Sequence, residues 1–265
     1  MTNENYALIT GASKGIGKAM AEECANRGSN VLLVSLPNEN LSNVAYEISN
    51  KYAVKSDFLE INLTNLNAPH RVYNWCKKNN YNLNILINNA GMAGTTVFEK
   101  SSLEYSDSRI QLNIRALVLI TRLFIPDLKK STKSYILNIG SLSAYYAIPF
   151  KCVYAASKAF VVSFSKALHD ELQESSISVS VVCPNGVETN KGTFSRIKSH
   201  GKMGDLTKIS PQELAKYTIS KMLQNKTIII PKRINRLLLF IEKLIPEDLL
   251  QKILLNEFKK EIKKA

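Results

Sequence analysis

Cysteine is scarce. Four residues, Cys24, Cys76, Cys152 and Cys183, are spread over 265 positions. They form no C-x-x-C pair and no His/Cys cluster, which excludes the common zinc and dithiol redox motifs. Free thiols are expected, and with them a reducing, cytoplasmic setting. No apolar run approaches the roughly 20 residues that span a bilayer. No basic stretch followed by a long apolar one opens the chain, so no cleaved leader is expected. Internal linkers and low-complexity segments are also missing, which predicts one domain with a C-terminal tail. Acids are outnumbered, 22 Asp and Glu against 35 Lys and Arg, for a formal charge of +13. Such a charge suits nucleic acid, an anionic membrane, a phosphorylated ligand or simply a lysine-rich surface. The lysines are dispersed, and no zinc-finger, RNA-recognition or basic-zipper signature accompanies them, so no nucleic-acid partner is expected.

What is present is a regular alternation. Short apolar runs at 6–10, 30–36, 56–63, 83–90, 134–141, 177–184 and 226–231 are predicted strands. Helical patterns fill 17–28, 39–51, 67–79, 103–130, 153–175 and 210–223. Near-continuous apolar strands are those of a parallel sheet covered on both faces. Repeated strand–helix alternation then predicts an α/β fold, a Rossmann-like doubly wound parallel sheet. Ligands of such sheets lie at the carboxyl ends of the strands, where the strand order reverses.

Two local patterns carry chemistry. "ITGASKGIGKAM" follows the first strand and opens the first helix, with Gly11, Gly15 and Gly17 in the spacing G-x-x-x-G-x-G. Glycines there allow a tight turn and close approach of backbone N–H groups to an anion at the helix N-terminus. No G-K-[ST] follows, so this is not a Walker loop. In "CVYAASKAF", Tyr154 and Lys158 are four residues apart and share a helix face. A phenol, with a reference pKa of about 10, becomes a usable proton shuttle when a nearby ammonium stabilises its phenolate. His70 and His169 are the other acid–base candidates. His169 lies eleven residues beyond Lys158 and is read as surface. No metal is implied.

Taken in order, "TGASKGIG" (10–17), "NNAG" (88–91), Asn113, Ser141, Tyr154-x-x-x-Lys158 and "PNGVET" (184–189) resemble the short-chain dehydrogenase/reductase family, over nearly the whole chain to about residue 230. The resemblance implies hydride transfer between a nicotinamide cofactor and a carbonyl or secondary alcohol. It makes Tyr154 the acid/base, Lys158 its electrostatic partner and a ribose ligand, Ser141 the group that polarises the carbonyl, and Asn113 the holder of a relay water. Ser143 is a competitor for the serine role. The resemblance gives the pyrophosphate side to Gly11, Ser13, Lys14, Ile16 and Gly17, and the adenine side to Asn62 and Leu63. Asn89, Ala90 and Gly91 would run beside the ribose and nicotinamide, with Val187 and Thr189 at the carboxamide. In "PNGVET", Asn185 replaces the glycine that usually follows the proline.

Cofactor choice is read at the end of the second strand, where an acid would bind the ribose 2′-OH. Ser35 and Leu36 stand there, with no acid, and Leu36 replaces the arginine frequent in NADP users. Lys14 is a feature of NADP users and would meet a 2′-phosphate as a point charge. NADP(H) is therefore favoured over NAD(H). The alternative to an enzyme is a non-catalytic NADP(H)-sensing protein on the same fold, which the complete Ser, Tyr, Lys and Asn set disfavours.

Residues 1–231 are assigned to the dinucleotide-binding domain and 232–265 to an amphipathic helical extension. Leu237 to Ile241 is a continuous apolar run, Pro246 interrupts the pattern, and Leu250, Ile253, Leu254 and Phe258 form a stripe ahead of terminal lysines. Such a tail packs on the body, builds a homodimer or homotetramer, or lies on a membrane surface. Membrane contact would favour a lipid-like 3-keto substrate. The basic segment 190–210 is the expected substrate lid.

Overall fold

The computed structural model describes residues 5–189, 206–242 and 244–264. The expected lid falls largely outside them. Seven parallel strands form one sheet in the order β3-β2-β1-β4-β5-β6-β7. They are β1 (Asn5–Thr10), β2 (Asn30–Ser35), β3 (Ser56–Glu60), β4 (Asn82–Asn88), β5 (Ser134–Ile139), β6 (Ile177–Val182) and β7 (Ile228–Ile229). Six helices follow the strands: α1 (Gly15–Asn26), α2 (Leu41–Tyr52), α3 (Ala68–Lys78), α4 (Leu103–Ile110), α5 (Leu117–Leu128) and α6 (Cys152–Glu171). Then come α7 (Pro211–Leu223), α8 (Arg233–Glu242) and α9 (Glu247–Lys264).

The inner strands bury both faces, and the period of two splits their side chains between two cores. Ala7 and Ile9 of β1, with Val31 and Leu33 of β2, meet α1, α2 and α7. Tyr6 and Leu8, with Leu32 and Val34, meet α3, α5 and α6 on the other face. Buried amides pin the middle of the sheet to its helices: Asn88 reaches Thr121 and Asn138, each at 2.9 Å, and Asn138 reaches Ser165 at 2.9 Å. Ser210 caps α7 in a reciprocal capping box with Glu213, worth about 1 kcal/mol.

Several strands stop one to three residues short of their predicted ends. Ile61–Leu63, Asn89–Ala90 and Gly140–Ser141 leave the sheet to form loops at its carboxyl edge. Apolar character extends past the pairing there because these residues wall a cavity. The predicted helix 103–130 is interrupted, since residues 111–116 form a π-helical turn carrying Asn113. Such turns recur at functional positions in helices.

The tail is two helices. Its apolar run divides: Leu238 and Leu239 turn toward the body, while Leu237, Phe240 and Ile241 are exposed. The predicted stripe also divides, because Leu254 and Phe258 pack inward and Ile253 faces solvent. Helical spacing placed these residues on one side of α9, but docking of that helix covers only part of the side.

Candidate active site

The strand order reverses between β1 and β4, and the carboxyl ends of these strands are tied together. Thr10 Oγ1 accepts from the backbone N–H groups of Asn89 and Ala90, each at 3.0 Å. Asn89 Nδ2 donates to the carbonyls of Thr10 at 2.8 Å and Gly11 at 3.0 Å. Gly11 has φ of +66°, and a Cβ there would meet Asn89 Nδ2 at 2.9 Å. A Cβ on Gly17 would lie 2.0 Å from the Gly11 carbonyl oxygen. Glycine is required at both positions for the chain to turn from β1 into α1. No side chain caps the first turn of α1, so its backbone N–H groups and the positive end of its dipole face the cavity beside the glycine turn.

That cavity has a volume of about 1250 Å³ and runs along the carboxyl edge of the sheet. Ser13, Lys14, Ile16, Leu36, Asn62 and Leu63 line one end. Gly91, Val187, Thr189, Ser141, Tyr154 and Lys158 line the middle, and residues of α8 and α9 close the other end. Asn62 is fixed by accepting from Thr64 N at 3.0 Å and Thr64 Oγ1 at 2.8 Å. Val187 is held against Ile209 by a parallel bridge.

Lys158 is the only charged side chain in the buried class among the described residues, at 7% exposure. Burial lowers its pKa to about 8. Its Nζ donates to the Ile139 carbonyl at 2.7 Å and stands 6.0 Å from the centroid of the Tyr154 ring. Ser141 Oγ accepts from Ser143 N at 3.2 Å and from Ser143 Oγ at 2.8 Å. Both acceptor positions are then occupied, and the Ser141 proton is left to donate elsewhere. Ser143, the competing serine, thus orients Ser141.

Asn113 stands one layer behind. It is 2% exposed and does not line the cavity. Its Oδ1 accepts from Met92 N at 2.8 Å, and its Nδ2 donates to Met92 O and Ser157 Oγ, each at 3.0 Å. The side chain fixes the loop after β4 against α6, close to Lys158. A Cβ on Gly91 would lie 3.2 Å from Asn113 Oδ1 and 3.5 Å from Lys158 Nζ. The histidines are elsewhere: His70 is exposed, and His169 is half-buried with Nε2 3.1 Å from Thr227 Oγ1. His169 therefore ties α6 to the loop before β7, whereas the sequence placed it on the surface.

Several groups at the site have no single-sequence signal. Tyr146 donates to Glu242 of α8, whose pKa burial raises. Phe258 of α9 packs on Ile148 and Ala155. Lys151 pairs with Glu261 at 3.2 Å and lies 4.5 Å from the Phe258 ring centroid. Thr95 Oγ1 donates to Glu261 at 2.7 Å. The tail thus forms a wall of the cavity. Asn185 Nδ2 reaches Asn235 Oδ1 of α8 at 3.3 Å, and Asn235 donates to the Pro231 carbonyl at 2.9 Å. The asparagine that replaces the usual glycine is therefore bonded to the C-terminal extension.

Residues 5–198 match the short chain dehydrogenase family. The very-long-chain 3-oxoacyl-CoA reductase of Bos taurus is 33% identical over 199 residues, 72% of this chain and 62% of that protein. The chain thus aligns with less than two thirds of that relative's length. The 3-oxoacyl-[acyl-carrier-protein] reductase of Aquifex aeolicus is 30% identical, covering 69% of this chain and 74% of that one. A short-chain dehydrogenase from Sphingobium yanoikuyae, solved in complex with NADPH, superimposes with a TM-score of 0.76 at 29% identity, covering 86% of this chain and 88% of that one. With the glycine turn, the strand-order reversal and the Ser141, Tyr154 and Lys158 wall in one cavity, the chain belongs to the short-chain dehydrogenase family.

Proposed function

We propose that the protein is an NADP(H)-dependent oxidoreductase that reduces a ketone to a secondary alcohol, on a lipid-like or acyl 3-keto substrate. The observation that carries this reading is Lys158. A lysine held in a dry wall is costly and marks a site where its charge is used. It stands beside a tyrosine in a cavity large enough for a dinucleotide and a second molecule.

The residues present fit the cofactor. The glycine turn leaves a cradle that side chains would fill, and the uncapped start of α1 presents N–H groups to a pyrophosphate. Ile16 would stand at the pyrophosphate, and Asn62, Leu63, Asn89, Ala90, Val187 and Thr189 would flank the ribose and ring systems. A bound nicotinamide supplies the hydride. Tyr154 gives its hydroxyl proton to the substrate oxygen as the carbonyl becomes an alcohol, and Ser141 donates a hydrogen bond to that oxygen. The Lys158 ammonium stabilises the phenolate left behind. Asn113 positions the loop and α6 around Lys158, and with it any water that returns the proton.

Two of the relatives named above act on 3-oxoacyl groups by name, and the apolar wall from Leu254, Phe258 and Ile148 suits a long acyl chain. The exposed face of α8, with Leu237, Phe240 and Ile241, and Leu244 in the turn that follows it, is the surface for a second copy or a lipid surface. No helix among the described residues is long and apolar enough to cross a membrane. Following NADPH absorbance over ketones of increasing chain length tests the activity. Turnover that rises with chain length supports the reading, and no turnover with any ketone refutes it.

A further inference from the structure

Lys14 was read from the sequence as the counter-charge for a 2′-phosphate, yet an acid already holds it. Lys14 Nζ lies 2.7 Å from Glu39 Oε1. Glu39 stands in the turn between β2 and α2, four residues past the strand end that carries no acid. Asn38 and Asn40 on either side have φ of 64° and 56°. This is the left-handed region that asparagine tolerates. The turn folds back over the end of β2, so Glu39 returns to the site four residues after the strand has ended.

The carboxylate is received by buried hydroxyls. Ser13 Oγ donates to Glu39 Oε2. Ser35 Oγ lies 2.8 Å from Glu39 Oε2 and 2.9 Å from Ser13 Oγ. Ser13 and Ser35 are 8% and 5% exposed. Burial acts to raise the Glu39 pKa, but hydrogen bonds from Lys14, Ser13 and Ser35 outweigh it and hold the group at about 2. Glu39 is an anion at any working pH. It lines the cavity beside Gly11, Leu36, Asn62 and Leu63.

We infer that Glu39 is a specificity-determining residue that weakens NADPH relative to NADH. It neutralises Lys14 and places a negative charge where the adenosine 2′ substituent would lie. The inference rests on the dinucleotide reading above. A carboxylate offers about four acceptor positions. Three donors surround Glu39, so a neutral 2′-OH can donate to the remaining one. A 2′-phosphate brings further negative charge, gains nothing from a carboxylate and must draw Lys14 away from it. Lys14 alone would favour NADPH strongly; with Glu39 in place the preference is narrow.

Binding of NADPH and NADH to the full chain, followed by nicotinamide fluorescence without substrate, tests this. Glu39→Gln keeps the shape and removes the charge. The NADPH Kd should fall about tenfold while the NADH Kd holds or rises, the scale of one charge pair near a surface. An unchanged ratio of the two constants overturns the inference, including a case where a disturbed turn weakens both equally. A shift toward NADH also overturns it. Adding Lys14→Ala to Glu39→Gln should remove most of the gain, and a gain that persists in full places its source elsewhere. The wild-type ratio tests the NADP(H) reading separately. A wild type that prefers NADH refutes that reading, while the effect of Glu39→Gln on the ratio stays measurable.

Discussion

At the glycine-turn end, the cavity is shaped by close backbone packing at two glycines. Gly11 and Gly17 bring main chain together at distances no Cβ would allow, and Asn89 stitches β1 to β4 through carbonyls. At the opposite end the wall is side chain. Phe258, Leu254 and Glu242 reach in from helices that follow the last strand. Gly11 and Gly17 tolerate almost no change because backbone geometry dictates residue type. The opposite end can be varied one side chain at a time, so under the proposed function it is the end that would set substrate range.

Four experiments sharpen or break this contrast. The largest effect is expected midway between the ends. Tyr154→Phe should lower kcat by about 10²–10⁴-fold, the usual worth of a positioned acid, with NADPH affinity nearly intact by fluorescence titration. Retained turnover would remove Tyr154 from its proposed role. Next, Gly17→Ala should cost the cofactor end more than 100-fold in NADPH affinity, or several kcal/mol in stability, since its Cβ would stand 2.0 Å from a carbonyl oxygen. A normal titration and melt would show that the turn is less constrained than its geometry.

At the tail end, Phe258→Ala should cost about 3 kcal/mol by denaturant unfolding. It should raise KM for long-chain ketones more than for short ones. Equal effects on both would mean that the tail supports the fold without reading the substrate.

The smallest effect is a pH dependence from Lys158. Its folded pKa of about 8 lies below the unfolded value of about 10.4. Between these values the unfolded chain holds more protons, so stability rises with pH by at most about 1.4 kcal/mol per unit. Wild type should therefore gain on Lys158→Met as pH rises from about 8 to about 10. A constant difference between them would contradict the buried lysine.

The contrast also explains what could be read before the structure. The sheet, its helices and the glycine turn were legible because each rests on local rules of periodicity, capping and backbone freedom. Gly11 and Gly17 announce themselves, since no other residue fits. Glu39 did not: its approach depends on two left-handed asparagines, which leave no periodic trace. The π-helical turn at Asn113 was hidden inside a helix pattern that looks continuous. The inward face of the tail was half legible. Spacing put Ile253 beside Leu254 and Phe258, and only docking on Ile148 and Ala155 separates them. His169 was misplaced for the same reason, as its partner Thr227 is 58 residues away.

The hydrogen bond between Asn185 and Asn235 bears on engineering. It makes the loop after β6 and the start of α8 a matched set. A tail grafted from this chain onto a relative with glycine after the proline would arrive with Asn235 short of one partner. Exchanging residue 185 together with residues 232–264 would move the substrate wall as a module, and exchanging either alone would leave a loose hinge beside the nicotinamide position.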